Sequence, residues 1–196
     1  MIEELGVKHL PAAVDLHATI LHWSINARLG RDHLESVYDV LLHDESTRGF
    51  VDVAEDGSLL ALIIVTTDHK STREKIRQIY TPGIKIKLVF QSLFKPADFL
   101  DLAENLFLIP KALDKSGYDA EVLLWLSDTN QLRGRIAGSR LMKLALESLA
   151  DMSALPAIAQ VAKYDPSPNK YHESAGNRLK RSFCRNNIYV LGDKHD

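Results

Sequence analysis

The chain has 196 residues, 45% of them hydrophobic and 26% charged, with a formal net charge of −2. This is globular composition, which excludes collagen-like, low-complexity and disordered chains and argues against wholesale nucleic-acid binding. The longest apolar run, 59–65, is far below the roughly 20 residues that cross a bilayer, and residues 1–8 lack the basic-then-apolar pattern of a signal peptide. The expectation is one domain over 1–196 with no membrane partner. Its lone cysteine, Cys184, makes no internal bridge and no metal cluster, so a cytoplasmic setting and no metal are expected.

Residues 5–10 read as a first strand, and Pro11 suits a helix start, where its missing amide proton is harmless. Val14, Leu16, Ile20 and Leu21 recur at helical spacing to about His22. Residues 24–30 read as a loop, and 32–43 as a second helix with Leu34, Val37, Tyr38 and Leu41 on one face. Residues 49–54 alternate, 55–57 signal a turn and 59–67 form a β-branched apolar run, which together predict an antiparallel hairpin. From 71 to 117 the pattern is helical and broken at Pro82, Pro96 and Pro110, and its apolar stretch 84–94 suits a homodimer contact.

Residues 122–126 read as a buried strand, leading through a polar loop into a helix over 138–149 striped by Leu141, Met142, Leu144, Ala145 and Leu149. Residues 157–162 form another strand, 165–168 a turn, 169–184 a mostly helical stretch and 188–191 a closing strand.

The loop 131–141 carries the candidate chemistry. A strand-to-helix connection points backbone amides out of the helix amino terminus, where the helix dipole favours an anion such as pyrophosphate. Gly134 and Gly138 permit close backbone approach, while Arg133 and Arg135 supply charge-assisted bonds. The same pattern also fits a glycine-bearing turn into an ordinary helix. No Gly-x-x-x-x-Gly-Lys-Ser/Thr or Gly-x-Gly-x-x-Gly string exists, so neither a nucleoside-triphosphate loop nor a dinucleotide fingerprint accounts for it.

Arg133-Gly-Arg-Ile-Ala-Gly138-Ser-Arg-Leu-Met resembles the acetyl-CoA pyrophosphate loop of the GNAT superfamily of N-acetyltransferases, whose pattern is Arg/Gln-x-x-Gly-x-Gly/Ala. Arg133 and Gly138 match its ends, whereas Ile136 occupies the middle glycine, which implies weakened or shifted cofactor binding. The element order agrees over nearly the whole chain. The resemblance implies an α/β fold with a mixed, largely antiparallel sheet flanked by helices and a helical insertion, about 71–117, before the cofactor strand. It places Asp128, Asn130, Arg133, Gly134, Arg135, Ile136, Ala137, Gly138, Ser139 and Asn177 at the cofactor. A second likeness, Ser-x-x-x-x-Leu-Gly over 24–30, places Trp23, Ser24, Asn26 and Arg28 at the acceptor groove; otherwise they pack and cap.

The implied reaction moves acetyl from acetyl-CoA to a primary amine, of a small molecule or a protein, by direct attack. An alkylamine of pKa near 10.4 is only about 1 part in 10³ unprotonated at pH 7, so a base is valuable. Glu121 and Asp128, at the two ends of the cofactor strand, are candidates; the alternative is a solvated or turn-capping carboxylate. The family's tyrosine proton donor falls on Cys184 in the register that starts from Asn177, and Tyr171 is the substitute. Cys184 is then either a weak donor or a buried small residue.

Arg178, Lys180, Arg181 and Arg185 form a basic run read as a helix face, which meets the cofactor's 3′-phosphate, an acidic acceptor or solvent. Two rivals remain: a module that binds acyl-CoA without turnover, and a nucleic-acid-binding protein using this run with Arg133, Arg135 and Arg140.

Overall fold

The computed structural model describes residues 1–93, 96–128 and 132–193. β1 (Ile2–Glu4), α1 (Leu10–Ile20), α2 (Ile25–Leu29) and α3 (Arg31–His43) lead into the hairpin β2 (Thr47–Val53) and β3 (Leu59–Thr66). Four helices follow, α4 (His69–Ile79), α5 (Pro82–Leu93), α6 (Pro96–Ala103) and α7 (Ile109–Asp114), with a π-helical turn over Glu104–Leu108. β4 (Glu121–Ser127), α8 (Leu132–Asp151), β5 (Ala157–Ala162), α9 (Pro166–Ser174), β6 (Arg178–Ser182) and β7 (Asn186–Leu191) complete the chain.

The seven strands form one sheet in the order β1-β2-β3-β4-β5-β7-β6, in which only β4 and β5 run parallel. This is the mixed, largely antiparallel sheet the resemblance implied. Apolar layers cover both faces, which is why β3 reads as a continuous apolar run and not an alternating one. Ala61, Ile63 and Val65 meet Leu141, Met142, Ala145 and Leu149 of α8 on one face. Leu62 and Ile64 meet Val14 of α1 and Leu34, Val37, Tyr38 and Leu41 of α3 on the other. α7 adds Ile109 and Leu113 over Ile158, Ile188 and Val190.

Four elements differ from the sequence reading. Residues 5–10 hold no strand: the first strand is Ile2–Glu4, and Gly6 opens a 3₁₀ turn over Val7–His9 in which the Gly6 amide donates to His9 Nδ1 (3.1 Å). Residues 24–30 are not a loop: Ser24 Oγ accepts from the Ala27 amide (3.2 Å) and starts α2, which Gly30 ends at φ +106°. α8 begins at Leu132, so Gly134 and Gly138 lie inside the helix.

The stretch 169–184 is the fourth. α9 stops at Ser174, Gly176 turns the chain at φ +72°, and residues 178–182 form the outermost strand. The basic run is therefore an edge strand and its turn. Charge on an edge strand discourages pairing with another chain. Arg178 bonds Asp193 (2.7 Å) and Tyr118 (3.1 Å), Lys180 and Arg181 lie over the rings of Tyr118 and Phe183, and Arg185 lies over Tyr164.

α5 exposes Ile86, Val89 and Phe90. Phe94, in the stretch considered for a homodimer contact, lies outside the described residues. No helix among the described residues is long and apolar enough to cross a membrane.

Candidate active site

The site arises from a break between β4 and β5. Their pairing holds only at Glu121↔Ile158 and Val122↔Ala159. Immediately beyond, the β3–β4 register jumps from Val65↔Val122 to Ile64↔Leu124, so Leu123 is the extra residue of a β-bulge. A bulge bends its strand and interrupts pairing. From there β4 keeps β3 on one edge and turns the other edge toward a cleft of about 1380 Å³, lined across the gap by Gln160, Val161 and Ala162 of β5. The end of α1, the β2–β3 hairpin, the start of α8 and α9 complete its walls.

The first turn of α8 faces this cleft through Arg133, Gly134 and Arg135, with Ser139 one turn later. Amides of a first helical turn have no partner within the helix, and two guanidinium groups beside them make this end anion-attracting. Asp128, at the end of β4, also lines the cleft. Ala137 and Gly138 do not: they are buried against the sheet, and Ile136, at 51% exposure, faces solvent. Asn130 lies outside the described residues.

Both glycines are explained by packing. A Cβ on Gly134 would lie 2.2 Å from the Asp128 carbonyl oxygen, and one on Gly138 would lie 2.7 Å from Ser127 Oγ and 3.3 Å from Trp125 Nε1. Trp125 Nε1 donates to the Gly138 carbonyl (3.0 Å), which ties β4 to α8 at the cleft.

Glu121 is displaced from the role expected of it. It sits at the closed end of β4, 1% exposed, gripped by Arg73 of α4 through Nε (3.0 Å) and a terminal nitrogen (2.5 Å), and it does not line the cleft. Cys184 is not a buried core residue and does not line the cleft: it is exposed in the β6–β7 turn. Asn177 lies past the end of α9 and outside the cleft lining, with its Nδ2 on His172 Nδ1 (3.0 Å).

Tyr171 does line the cleft, from within α9 and edge-on to Trp125 (4.8 Å between centroids). Burial pushes its phenol above the usual 10, so the hydroxyl stays protonated at neutral pH.

Of the four acceptor candidates, only Trp23 reaches the cleft, edge-on to Tyr164 at 4.6 Å. Ser24 caps α2 and contacts His17 Nε2 (3.2 Å), whose Nδ1 contacts Tyr38 Oη (3.2 Å). Asn26 Oδ1 accepts from Tyr80 Oη (2.5 Å) and lies 3.2 Å from His33 Nε2. Arg28 is not among the lining residues. No three His, Cys, Asp or Glu side chains among the described residues are grouped to hold a metal.

The sequence reading missed Trp125, which looked like strand core, and His172. His172 is 1% exposed, lines the cleft, stacks on Tyr189 (4.9 Å, 20°) and meets Trp125 (6.0 Å) and Tyr171 (5.5 Å) edge-on. Its only local sign is Asn177 five residues on, across Gly176.

No protein-family model matches the chain, and no curated protein sequence does. Solved structures do. The PaiA N-acetyltransferase of Thermoplasma acidophilum, in complex with coenzyme A, superposes with a TM-score of 0.59 at 10% identity, covering 97% of this chain and 96% of that one. An acetyltransferase of the GNAT family from Staphylococcus aureus gives 0.58 at 9% identity, covering 97% and 98%. The spermidine/spermine N-acetyltransferase SpeG of Vibrio cholerae gives 0.54 at 14%, covering 97% and 91%. The chain has the fold of the GNAT N-acetyltransferases. At these identities the likeness is one of fold, and chemistry has to be argued from the cleft.

Proposed function

We propose that the protein is an acetyl-CoA-dependent N-acetyltransferase that acts on a primary amine. The observation that carries this reading is the parting of β4 and β5 at the Leu123 bulge, directly beside the first turn of α8. An extended ligand arm with amide groups pairs with an open strand edge as a further strand would, and its pyrophosphate then meets the α8 amides with Arg133 and Arg135. The cleft offers both features in one place.

In this reading the cofactor supplies the activated acetyl group, and the protein orients and deprotonates. Trp23 and the hairpin bound the end open to the acceptor. Asp128 is the carboxylate, of the two expected, that lines the cleft, and it accepts the amine's proton directly or through water. Tyr171, on the α9 wall, offers its hydroxyl proton to the departing thiolate. The solved neighbours include enzymes named for spermidine/spermine and for a ribosomal-protein alanine, so both small-molecule and protein amines belong in the acceptor screen.

Calorimetric titration with acetyl-CoA and CoA, with NAD as control, tests the reading. Saturable binding selective for the CoA compounds, followed by turnover on an amine panel, is expected; absence of CoA binding would overturn it. The displacement of Glu121 and Cys184 from the cleft favours one other reading, a module that binds acyl-CoA as a sensor. Selective binding without turnover on any amine is the result it predicts.

A further inference from the structure

His172 is a buried polar group of the cleft whose Nε2 edge has no hydrogen-bond partner among the described residues. Its Nδ1 receives Asn177 Nδ2 at 3.0 Å, and among the described residues no group bonds its Nε2. Three rings hold the imidazole: Tyr189 of β7 stacks on it, Trp125 of β4 and Tyr171 of α9 meet it edge-on, and the 1% of surface that remains belongs to a residue lining the cleft. Gly176, at φ +72°, reverses the chain so that Asn177 returns to the ring.

An amide nitrogen only donates, so the ring nitrogen that receives it carries a lone pair, and in the neutral ring the proton then sits on the other nitrogen. We propose that His172 is a tautomer-locked hydrogen-bond donor that presents Nε2–H to the thioester end of the bound ligand, with Asn177 as its positioning residue. This rests on the acyltransferase reading and deepens it. As the acceptor's N–C bond forms and the C–S bond breaks, the electron pair leaves on sulfur and the amine's proton departs through the cleft. His172 keeps its own proton and stabilises the negative charge that develops, as a fixed donor in a water-poor site does.

The surroundings keep the ring neutral. Its titratable neighbours are the phenols of Tyr171 and Tyr189, both pushed above the usual range by burial, Tyr189 also by the carboxylate of Glu173. Burial holds the imidazole itself down at about 4. Such a group is a poor base at pH 7 and a persistent donor.

Long-range ¹H–¹⁵N spectra of the labelled protein read the tautomer without any ligand. The expected result is a protonated Nε2, an unprotonated Nδ1 and no titration between pH 5 and 8. The opposite tautomer, or titration near 6.5, overturns the proposal whether or not CoA binds. Saturation with CoA should shift the His172 Nε2 resonance; an unmoved resonance with CoA bound by calorimetry also overturns it. Failure of CoA to bind at all sinks the acyltransferase reading, and the donor role with it, and is seen separately in the calorimeter.

His172→Phe keeps the ring volume and removes the donor. It should leave the CoA Kd within about threefold while lowering kcat roughly 100-fold, and a rate within twofold of the parent overturns the role. His172→Gln, which retains a donor, should recover part of the loss. Asn177→Asp accepts from Nδ1–H instead, so it should bring the His172 titration to neutral pH and make the rate pH-dependent; an unchanged spectrum in that variant overturns the positioning role.

Discussion

Gly134 and Gly138 act on the sheet side of α8, where a Cβ would run into Asp128 or Ser127. Gly138→Val should therefore lower stability by about 1–3 kcal/mol through overpacking, read as a drop in urea midpoint without ligand, and any loss of CoA affinity follows from that displacement. Glu121 has been drawn into structure in the same way. Arg73→Ala leaves a carboxylate that is 1% exposed without its partner and should cost about 3 kcal/mol, measured by denaturant unfolding. Exchanging both residues for apolar side chains of similar volume should restore most of it. Neither role is visible along the chain, because each partner lies on a different element.

At the scale of elements, one insertion decides the site. Leu123 takes β4 out of register with β3, β5 parts from it, and the start of α8 fills the mouth of the gap. Arg133 and Arg135 line that mouth without belonging to the core, so their removal should act on binding and not on folding. Arg133→Ala and Arg135→Ala should each weaken CoA binding roughly tenfold, as expected for one charge-assisted bond of about 1.5 kcal/mol. Calorimetry checks the affinity, and an unchanged melting temperature checks that the fold is intact. The α8 stripe, the hairpin and β5 were legible from their periodicity, whereas β6 was not. An edge strand of Arg, Leu, Lys, Arg and Ser has one apolar residue and no alternation, and it owes its place to β7.

For the molecule as a whole, buried histidines set the acid response: burial lowers His17, His33 and His172, with the Lys87 charge adding to the effect on His33. Burial holds His17 and His172 at about 4, below the ordinary value of about 6.5 in an unfolded chain. On acidification the unfolded chain takes up these protons first, so stability is fully present above about pH 6.5 and is lost as pH falls toward 4. Asp44 adds a second loss further down. Burial raises its carboxyl, but bonds from Lys75, Ser46 and Thr72 outweigh that and hold it at about 2, so its contribution fades between about pH 4 and pH 2. The urea midpoint should fall between pH 7 and pH 5, and His17→Gln should show a smaller fall over the same interval.

The sequence by itself determined which segments are apolar on one face or on two, and with that the hairpin, the strand–helix unit β4–α8, the following strand and the helical stretch between β3 and β4. These depend on residues a few positions apart, whose spacing decides the buried face whatever the rest of the chain does. It also marked Arg133, Arg135, Asp128, Tyr171 and Trp23, which all line the cleft. Only the tertiary structure decided that Glu121 belongs to Arg73, 48 residues away, that Cys184 sits in an exposed turn and that Gly138 serves a tryptophan. His172 shows the reason most plainly. Its partners come from β4, β7 and the turn after α9, and a side chain's work is set by what packs against it, which local spacing does not encode.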